Sequence, residues 1–545
     1  MTSSDGDGNT RLVQVACATG MPGFVVALYL WPLYHPLRGA TRSYWGAVSD
    51  HYLYVLYSLV VMGMITVFEW DLFFPHLLDM QVLSPLPIKN RNLFLARVAA
   101  VCILIAGFLF NVNILATLAL PASIDPPSLG RFLAAHLLAV TASGIFAAAF
   151  ILGVQGLLLA VFGSAFFQRI SLALQGIFVT ALSMLLFSYT EMSGNLSWFL
   201  HSNSVYVRCF PPFWFLGIYQ RVMEGQSALP IYGTLARIGC YATLLAVAAA
   251  IFFYPFAYWR RSRQLIEGPS ARHTRSVVAN AVNRTLNTTL LRIPQRRAIY
   301  YFIGQTLLRI QRYRIYLVMY CGLGVALILA SVMSLIVDHA QIAVRISSDG
   351  VSSAIPLVAF WTIAGLRMTL VSGADRRDSW VFRNIHGKAT MDHLLAARLW
   401  VFVWGALITV GTVVVLHSAT WSEPRGWKVM ADQVFMAAGL CLLLTDIFFL
   451  HVTTIAFTGK PASAETNLAL VLLKYISFFV PVVVLTPMCE VWIEVKTEHL
   501  VVAVVALAVM HIGLRIFHSR EVTFNAGLPE LDEDEEGFPQ RLGLR

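Results

Sequence analysis

The sequence predicts an all-α fold: a polytopic membrane protein of about twelve transmembrane helices. Three observations carry this. The 545 residues are 58% hydrophobic and only 12% charged, whereas soluble domains average about 25% charged. Twelve apolar stretches are long enough to cross a bilayer, which takes about 20 residues each. The basic residues lie mainly in alternate connections between those stretches, as in a chain threaded back and forth across a membrane.

The candidate spans are 12–34, 51–69, 98–121, 132–161, 172–189, 236–258, 315–336, 353–371, 400–418, 431–456, 467–488 and 499–517. The first is interrupted by Gly20, Pro22 and Pro32, which predicts a kinked or broken helix. Ala16-Cys17-Ala18 has the small-x-small form of a leader cleavage site but comes too early for one. The fourth span is long enough to project beyond the bilayer or to tilt strongly. With both termini on one side, the loop set containing 70–97, 259–314 and 372–399 carries 26 of the 39 Lys and Arg residues; the opposite set carries nine, and four fall within spans. That bias makes the first set, and both termini, cytoplasmic.

Residues 69–97 are the most informative connection. The stretch EWDLFFPHLLDMQVLSPLPIKNRNLFLAR holds Pro75, Pro85 and Pro87, which break a helix and leave backbone groups that lipid cannot satisfy. Glu69, Asp71 and Asp79 make one side negative, and Lys89, Arg91 and Arg97 make the other positive. Leu77, Leu78, Val82 and Leu83 give a short helix an apolar stripe. The expectation is a structured element held on the cytoplasmic face as a docking surface, with a plain interfacial helix as the alternative.

The chain then divides into two topologically similar halves, 1–258 and 315–517, joined by a basic cytoplasmic connector, 259–314, and followed by an acidic tail, 518–545. The cytoplasmic segment 372–399 in the second half matches 70–97 in length and position. Such repetition marks many transporters, with the substrate path between the repeats. One asymmetry stands out. The outer loop of the first half contains CFPPFWFLGIYQRVMEG at 209–225, a proline-bounded aromatic segment that reads as re-entrant or interfacial. Its counterpart, 489–498, is short and acidic.

Several chemistries are excluded by pattern. The net charge of +10 gathers beside apolar runs, so it is not a nucleic-acid footprint. Seven Cys residues without CxxC spacing suggest neither disulfides nor a zinc site. The pairs Gly387-Lys388 and Gly459-Lys460 lack the rest of a phosphate-binding loop, and HExxH and GxSxG do not occur. His136, His451 and His511 fall in or near separate spans and read as interior histidines rather than metal ligands. Ionisable residues inside spans are costly. Asp446 and Lys474 lie at similar depth in spans ten and eleven, as a packing ion pair or a coupling site. Arg367 reads as an anchor near the end of span eight.

These features together resemble type-2 ABC exporter permeases. Six spans, a cytoplasmic coupling helix between the second and third, and outer re-entrant helices between the fifth and sixth form that family's plan. The phrase LSPLPIKNRNLFLAR (83–97) resembles its "LPI, basic, aromatic-aliphatic" element. The segments 296–322, 379–402 and 455–463 resemble parts of large bacterial permease-like proteins with two fused halves; IAFTGK at 455–460 departs from the Pro-Phe-Thr-Cys form expected there. The resemblance implies a non-enzymatic chain in a bacterial inner membrane, holding no cofactor of its own. A separate cytoplasmic ABC-type ATPase dimer would bind ATP and Mg. Coupling would fall to Pro85, Leu86, Pro87, Lys89 and Arg91, with Trp380, Phe382 and Arg383 in the second half. Pro211, Pro212, Phe213 and Trp214 would form part of an outer gate.

Two other classes remain open. A secondary transporter would need several intramembrane carboxylates, of which Asp446 is one. A scaffold or an enzyme acting on lipid-linked donors would need acids or histidines at a membrane mouth. Glu490, Glu494, Glu498 and His499 outside, or Asp375, Asp378 and Asp392 inside, are the nearest groups, and both sets read as solvated loops.

Overall fold

Helix begins almost wherever the apolar runs begin. The computed structural model describes all residues except 1–3, 36–41, 71, 76, 84, 163, 203, 268–286, 288–290, 339–340, 347, 372–390, 420–426, 451, 453–455, 458–467 and 528–545. Within the described residues, 12 helices are long and apolar enough to cross a membrane, and they fall in order on the twelve expected stretches. The chain is a multi-pass helical membrane protein.

The chain forms two compact units. The first comprises residues 1–274 and 314–350, and the second comprises 275–313 and 351–545. Residues 314–350 thus belong with the first unit, although the sequence places them at the start of the second half.

In the first unit, helix α1 is Ser4–Tyr34, α2 Tyr44–Phe68, α3 Leu77–Leu83, α4 Asn90–Ile124, α5 Leu129–Phe162 and α6 Ser164–Phe187. The short helices α7 Tyr189–Gly194, α8 Leu196–Ser202 and α9 Val205–Cys209 lead into α10 Pro211–Glu224 and the long α11 Pro230–Glu267. Helix α2 is the central element. It is apolar around its circumference and packs against α5, α6 and α10, as expected of a helix enclosed by others. Ser43 caps its start, the hydroxyl accepting from the Gly46 amide at 3.1 Å. The span thus begins seven residues earlier than the apolar run suggested, because Asp50 is inside it. Helix α5, at 34 residues, is about 50 Å long, so it exceeds the bilayer core as expected.

Helix α1 is continuous rather than broken, with Pro22 and Pro32 inside it. Neighbouring side chains cover its carbonyls around Pro22. Asn111 donates to Ala16 at 3.1 Å, and the Tyr54 hydroxyl donates to Gly23 at 3.2 Å. A Cβ on Gly23 would stand 3.0 Å from the Ala116 methyl, so glycine sets the close approach of α1 to α4.

Helix α12 (Pro294–Arg309) lies in the second unit, and α13 (Gln311–Val332) runs from its last residues into the first unit. The run following α13 departs from helix. Met333–Asp338 (β1) and Gln341–Ile346 (β2) pair antiparallel from Met333↔Ile346 to Asp338↔Gln341. Ile336, Val337, Ile342, Val344 and Ile346 are β-branched and favour strand over helix.

The later helices are α14 Ser348–Val371, α15 Met391–Ala419, α16 Trp427–Phe448, α17 Leu468–Val495 and α18 Thr497–Gly527. In the second unit α16 packs against α15, α17 and α18, and α12 packs against α15. Several boundaries shift from the sequence expectation, two of them around the acidic outer loop and the end of α16. Helix α16 stops at Phe448, eight residues early, and α17 continues to Val495, leaving only Lys496 before α18. The expected acidic outer loop at 489–498 is therefore mostly helix.

Candidate functional site

The connection between α2 and α4 is tied down by its backbone. Beyond α2, Trp70, Phe73 and Phe74 are buried. Three carbonyls in this stretch accept from side chains of three different helices. Gln155 of α5 donates to Trp70 at 2.8 Å, Tyr254 of α11 to Phe73 at 2.6 Å, and Arg97 of α4 to Phe74 at 2.8 Å. Phe74 and Phe94 also pack on the Tyr254 ring, at 5.2 and 6.1 Å. A loop leaving a transmembrane helix needs such partners for its backbone, and here each comes from a different neighbour. Half-burial pushes the Glu69 carboxyl above the usual carboxylate range.

The end of this shelf is exposed. After α3, Pro85, Leu86, Pro87, Ile88, Lys89 and Arg91 all face outward, as does Val82. The Ile88 amide donates to the Leu86 carbonyl at 2.7 Å, closing a tight turn around Pro87. Arg97 stands 3.8 Å from Asp79, a loose, half-exposed pair that contributes little. Asp71 lies outside the described residues, as do the side chains of Leu77 and Leu78. The expected second-half counterparts, Trp380, Phe382 and Arg383, also lie outside them.

At the opposite end of the same unit, α10 is enclosed rather than interfacial. Pro211 opens it, and Pro212, Phe213 and the stretch 215–220 are buried. Phe213 packs among Tyr52 (5.6 Å), Phe199 (6.3 Å) and Phe210 (4.8 Å). Trp214 is half-buried, its indole N–H donating to the Arg208 carbonyl at 2.6 Å. A Cβ on Gly217 would come within 2.6 Å of the Leu235 Cβ and 2.9 Å of the Ala236 amide, so only glycine allows α10 to lie this close to α11.

A neutral polar network holds α10 to α2 and α5. The Gln220 amide donates to His51 Nδ1 at 3.0 Å, and the His51 ring stacks on Tyr219 at 4.2 Å. The Tyr219 hydroxyl pairs with His136 Nδ1 at 3.3 Å, and among the described residues His136 Nε2 has no hydrogen-bond partner. Beside them the Arg42 guanidinium grips Asp50 at 2.6 and 3.0 Å, and the Tyr34 hydroxyl donates to the same carboxylate at 2.9 Å. The Asp50 hydrogen bond holds Arg42 above its ordinary pKa. Tyr44 donates to Glu224 at 2.9 Å, and burial pushes the Glu224 carboxyl up. The sequence reading missed Asp50, His51, Arg42, Gln220 and Tyr219; the one available signal was Asp50-His51 beside an apolar run.

The second unit has an ionised cluster instead. Because α16 ends within the helical layer, its last carbonyls need donors. Arg398 of α15 donates to the Asp446 carbonyl at 3.2 Å, Arg367 of α14 donates to Phe448, and His518 of α18 meets Leu450. Arg367 is therefore a helix cap, not merely a surface anchor. The Asp446 carboxylate lies 3.6 Å from Arg398 and meets His511 Nδ1 with its other oxygen. The partners of Asp446 come from α15 and α18; the Lys474 side chain lies outside the described residues. His451 also lies outside them.

Glu490, expected in a solvated loop, is buried in α17 and accepts from Gln433 at 2.8 Å and Ser352 at 3.2 Å. Asp375 and Asp378 lie outside the described residues, and Asp392 pairs with Arg296 at 2.8 Å. Among the described residues no group of three or more His, Cys, Asp or Glu could hold a metal ion. Comparison with known proteins finds no matching family model, no matching curated protein and no matching solved structure.

Proposed function

We propose that this chain is the permease subunit of an ATP-driven exporter on the type-2 ABC plan. Its two halves are fused, and it works with a separate cytoplasmic ATPase dimer in a bacterial inner membrane with both chain termini inside. The observation that carries the reading is that the same two helices hold the shelf and α10. On α5, Gln155 grips the shelf and His136 meets α10; on α11, Tyr254 grips the shelf and Leu235 packs under α10. Nineteen residues separate the two contacts on each helix, about 28 Å of helix, close to the thickness of a bilayer core.

A push on the exposed turn at 85–91 would thus reach α10 through stiff elements. This supports Pro85, Leu86, Pro87, Lys89 and Arg91 as the ATPase contact in the first half. Trp380, Phe382 and Arg383 are proposed for the second on sequence alone. Pro211, Pro212, Phe213 and Trp214 belong to the outer gate in this reading. The apolar spans favour a lipophilic or peptide cargo over a small ion.

Purification from native membranes in mild detergent tests the proposal. Recovery of an ABC-type ATPase with ATP hydrolysis supports it. Absence of both would favour a membrane scaffold or lipid-linked enzyme, and transport driven by an ion gradient without ATP would favour a secondary transporter.

A further inference from the structure

We propose that Arg398, Asp446 and His511 form an intramembrane proton-binding site, in which His511 takes up the proton and draws Asp446 away from Arg398. The starting point is how poorly the arginine is held. Arg398 is only 5% exposed, yet among the described residues its Nε and Nη1 have no hydrogen-bond partner, and Nη2 divides itself between the Asp446 carbonyl and a carboxylate oxygen at 3.6 Å. That oxygen is beyond hydrogen-bond distance. The nearer partner of the carboxylate is His511, on the other oxygen. One buried anion is therefore shared between a permanent cation and the side chain that most readily changes charge near neutral pH.

Access favours the histidine. The His511 side chain is 23% accessible, against 6% for Arg398. His511, Arg515 and His518 recur at i, i+4 and i+7 along α18, so they share one helix face. That face runs from the Asp446 carboxylate to the Leu450 carbonyl, where His518 bonds. It gives a polar line from the cluster toward the end of α18.

The other groups around Asp446 do not replace His511. From α14, Arg367 is committed to the Phe448 carbonyl, 3.4 Å from the Tyr475 hydroxyl of α17. From α15, apart from Arg398, Thr409 pairs with Cys441 at 3.3 Å, further up α16. From α18, Arg515 is exposed, and His518 bonds the Leu450 carbonyl. Asp432, the other acid of α16, is fourteen residues away, about 21 Å along the helix.

The step balances simply. With His511 neutral, Nδ1–H donates to Asp446, and Arg398 with Asp446 is charge-neutral. A hydronium ion gives its proton to Nε2, a new N–H bond forms, and water leaves. The cluster then holds two cations against one carboxylate. The imidazolium, already in contact, keeps Asp446, and Arg398 retains only the Asp446 carbonyl. Proton uptake thereby loosens the hold of α15 on the end of α16. This is a separate input from the docking of any ATPase, and it stands whether or not that proposal holds.

The test is infrared difference spectroscopy on the full chain in lipid nanodiscs, stepping between about pH 8 and about pH 5 to bracket imidazole titration. With 14 histidines in the chain, the readout is a component of the imidazolium signal: one present in the wild type and in H518Q, and missing from H511Q, supports the site. A spectrum of H511Q that superimposes on the wild type overturns it, as does an equal loss in H511Q and H518Q. Size-exclusion profiles establish that the variants are folded. Should H511Q not fold, histidine-isotope-labelled R398K decides: a change of about tenfold or more in proton affinity, one pH unit in midpoint, supports the shared carboxylate, and an unmoved midpoint contradicts it.

Discussion

The two units solve the same problem differently. Each contains polar groups inside helices that cross the membrane. Around α10 the network is mainly hydrogen-bonded side chains, Gln220 to His51 and Tyr219 to His136, with the one Arg42–Asp50 pair reinforced by Tyr34. At the end of α16 the polar groups are ions: Arg398 and Arg367 take carbonyls, and Asp446 balances Arg398. A hydrogen-bonded network fixes a helix in place at small cost per bond. A cluster of ions with unpartnered donors is held by balance, and that balance changes when one member gains a proton.

The comparison can be broken by mutation, and the largest effect should come from the ions. Asp446→Ala leaves Arg398 buried without its counter-ion and should destabilise by about 3–5 kcal/mol, read as a drop in thermal midpoint in detergent. Tyr219→Phe removes one neutral hydrogen bond and should cost about 1 kcal/mol. Equal losses would mean that the ionised cluster is no more exacting than the α10 network.

Anchored and exposed parts of the shelf should differ as sharply. Trp70→Ala opens a cavity beneath a buried carbonyl grip and should cost about 3–5 kcal/mol. Leu86→Ala, on the exposed turn, should stay within about 0.5 kcal/mol. Gly217→Ala falls between, at about 1–3 kcal/mol, because its methyl meets the α11 backbone. Thermal unfolding monitored by circular dichroism ranks all three.

The smallest effect is a pH dependence. Burial raises the Glu69 carboxyl pKa in the folded chain. Its contribution to stability is complete below the ordinary carboxylate value, about 4.3, and is lost as pH rises through the raised folded value. Glu69→Gln should therefore flatten the decline in stability above that range, with a small gain at neutral pH. A parallel pH profile for both proteins would contradict the assignment.

The spans were legible because hydropathy over about 20 residues is a strong signal, and α10 was legible as a helix because Pro211 and Pro212 bound an aromatic run, though not as an enclosed one. The shelf was legible from charge and proline alone. The clusters were not. Trimming an apolar run at its first charge puts Asp50 outside α2, Arg398 in the loop before α15 and Glu490 in the loop after α17, yet all three are buried. Asp446 was legible as an intramembrane acid, but its described partners, Arg398 and His511, come from α15 and α18, and only tertiary packing decides which helices meet; the Lys474 side chain lies outside the described residues. The hairpin at 333–346 escaped because its strands continue an apolar run, and β-branched content was outweighed by length.

The measurement closest to the central claim is recovery of ATPase with the full-length chain carrying Lys89→Glu and Arg91→Glu. Both side chains are exposed, so the double variant should keep the wild-type thermal midpoint and size-exclusion profile. The permease account predicts that a co-purifying ATPase is lost from it while Asp79→Asn retains it. An ATPase that remains bound to the folded double variant would contradict the account and leave the shelf a rigid interfacial element.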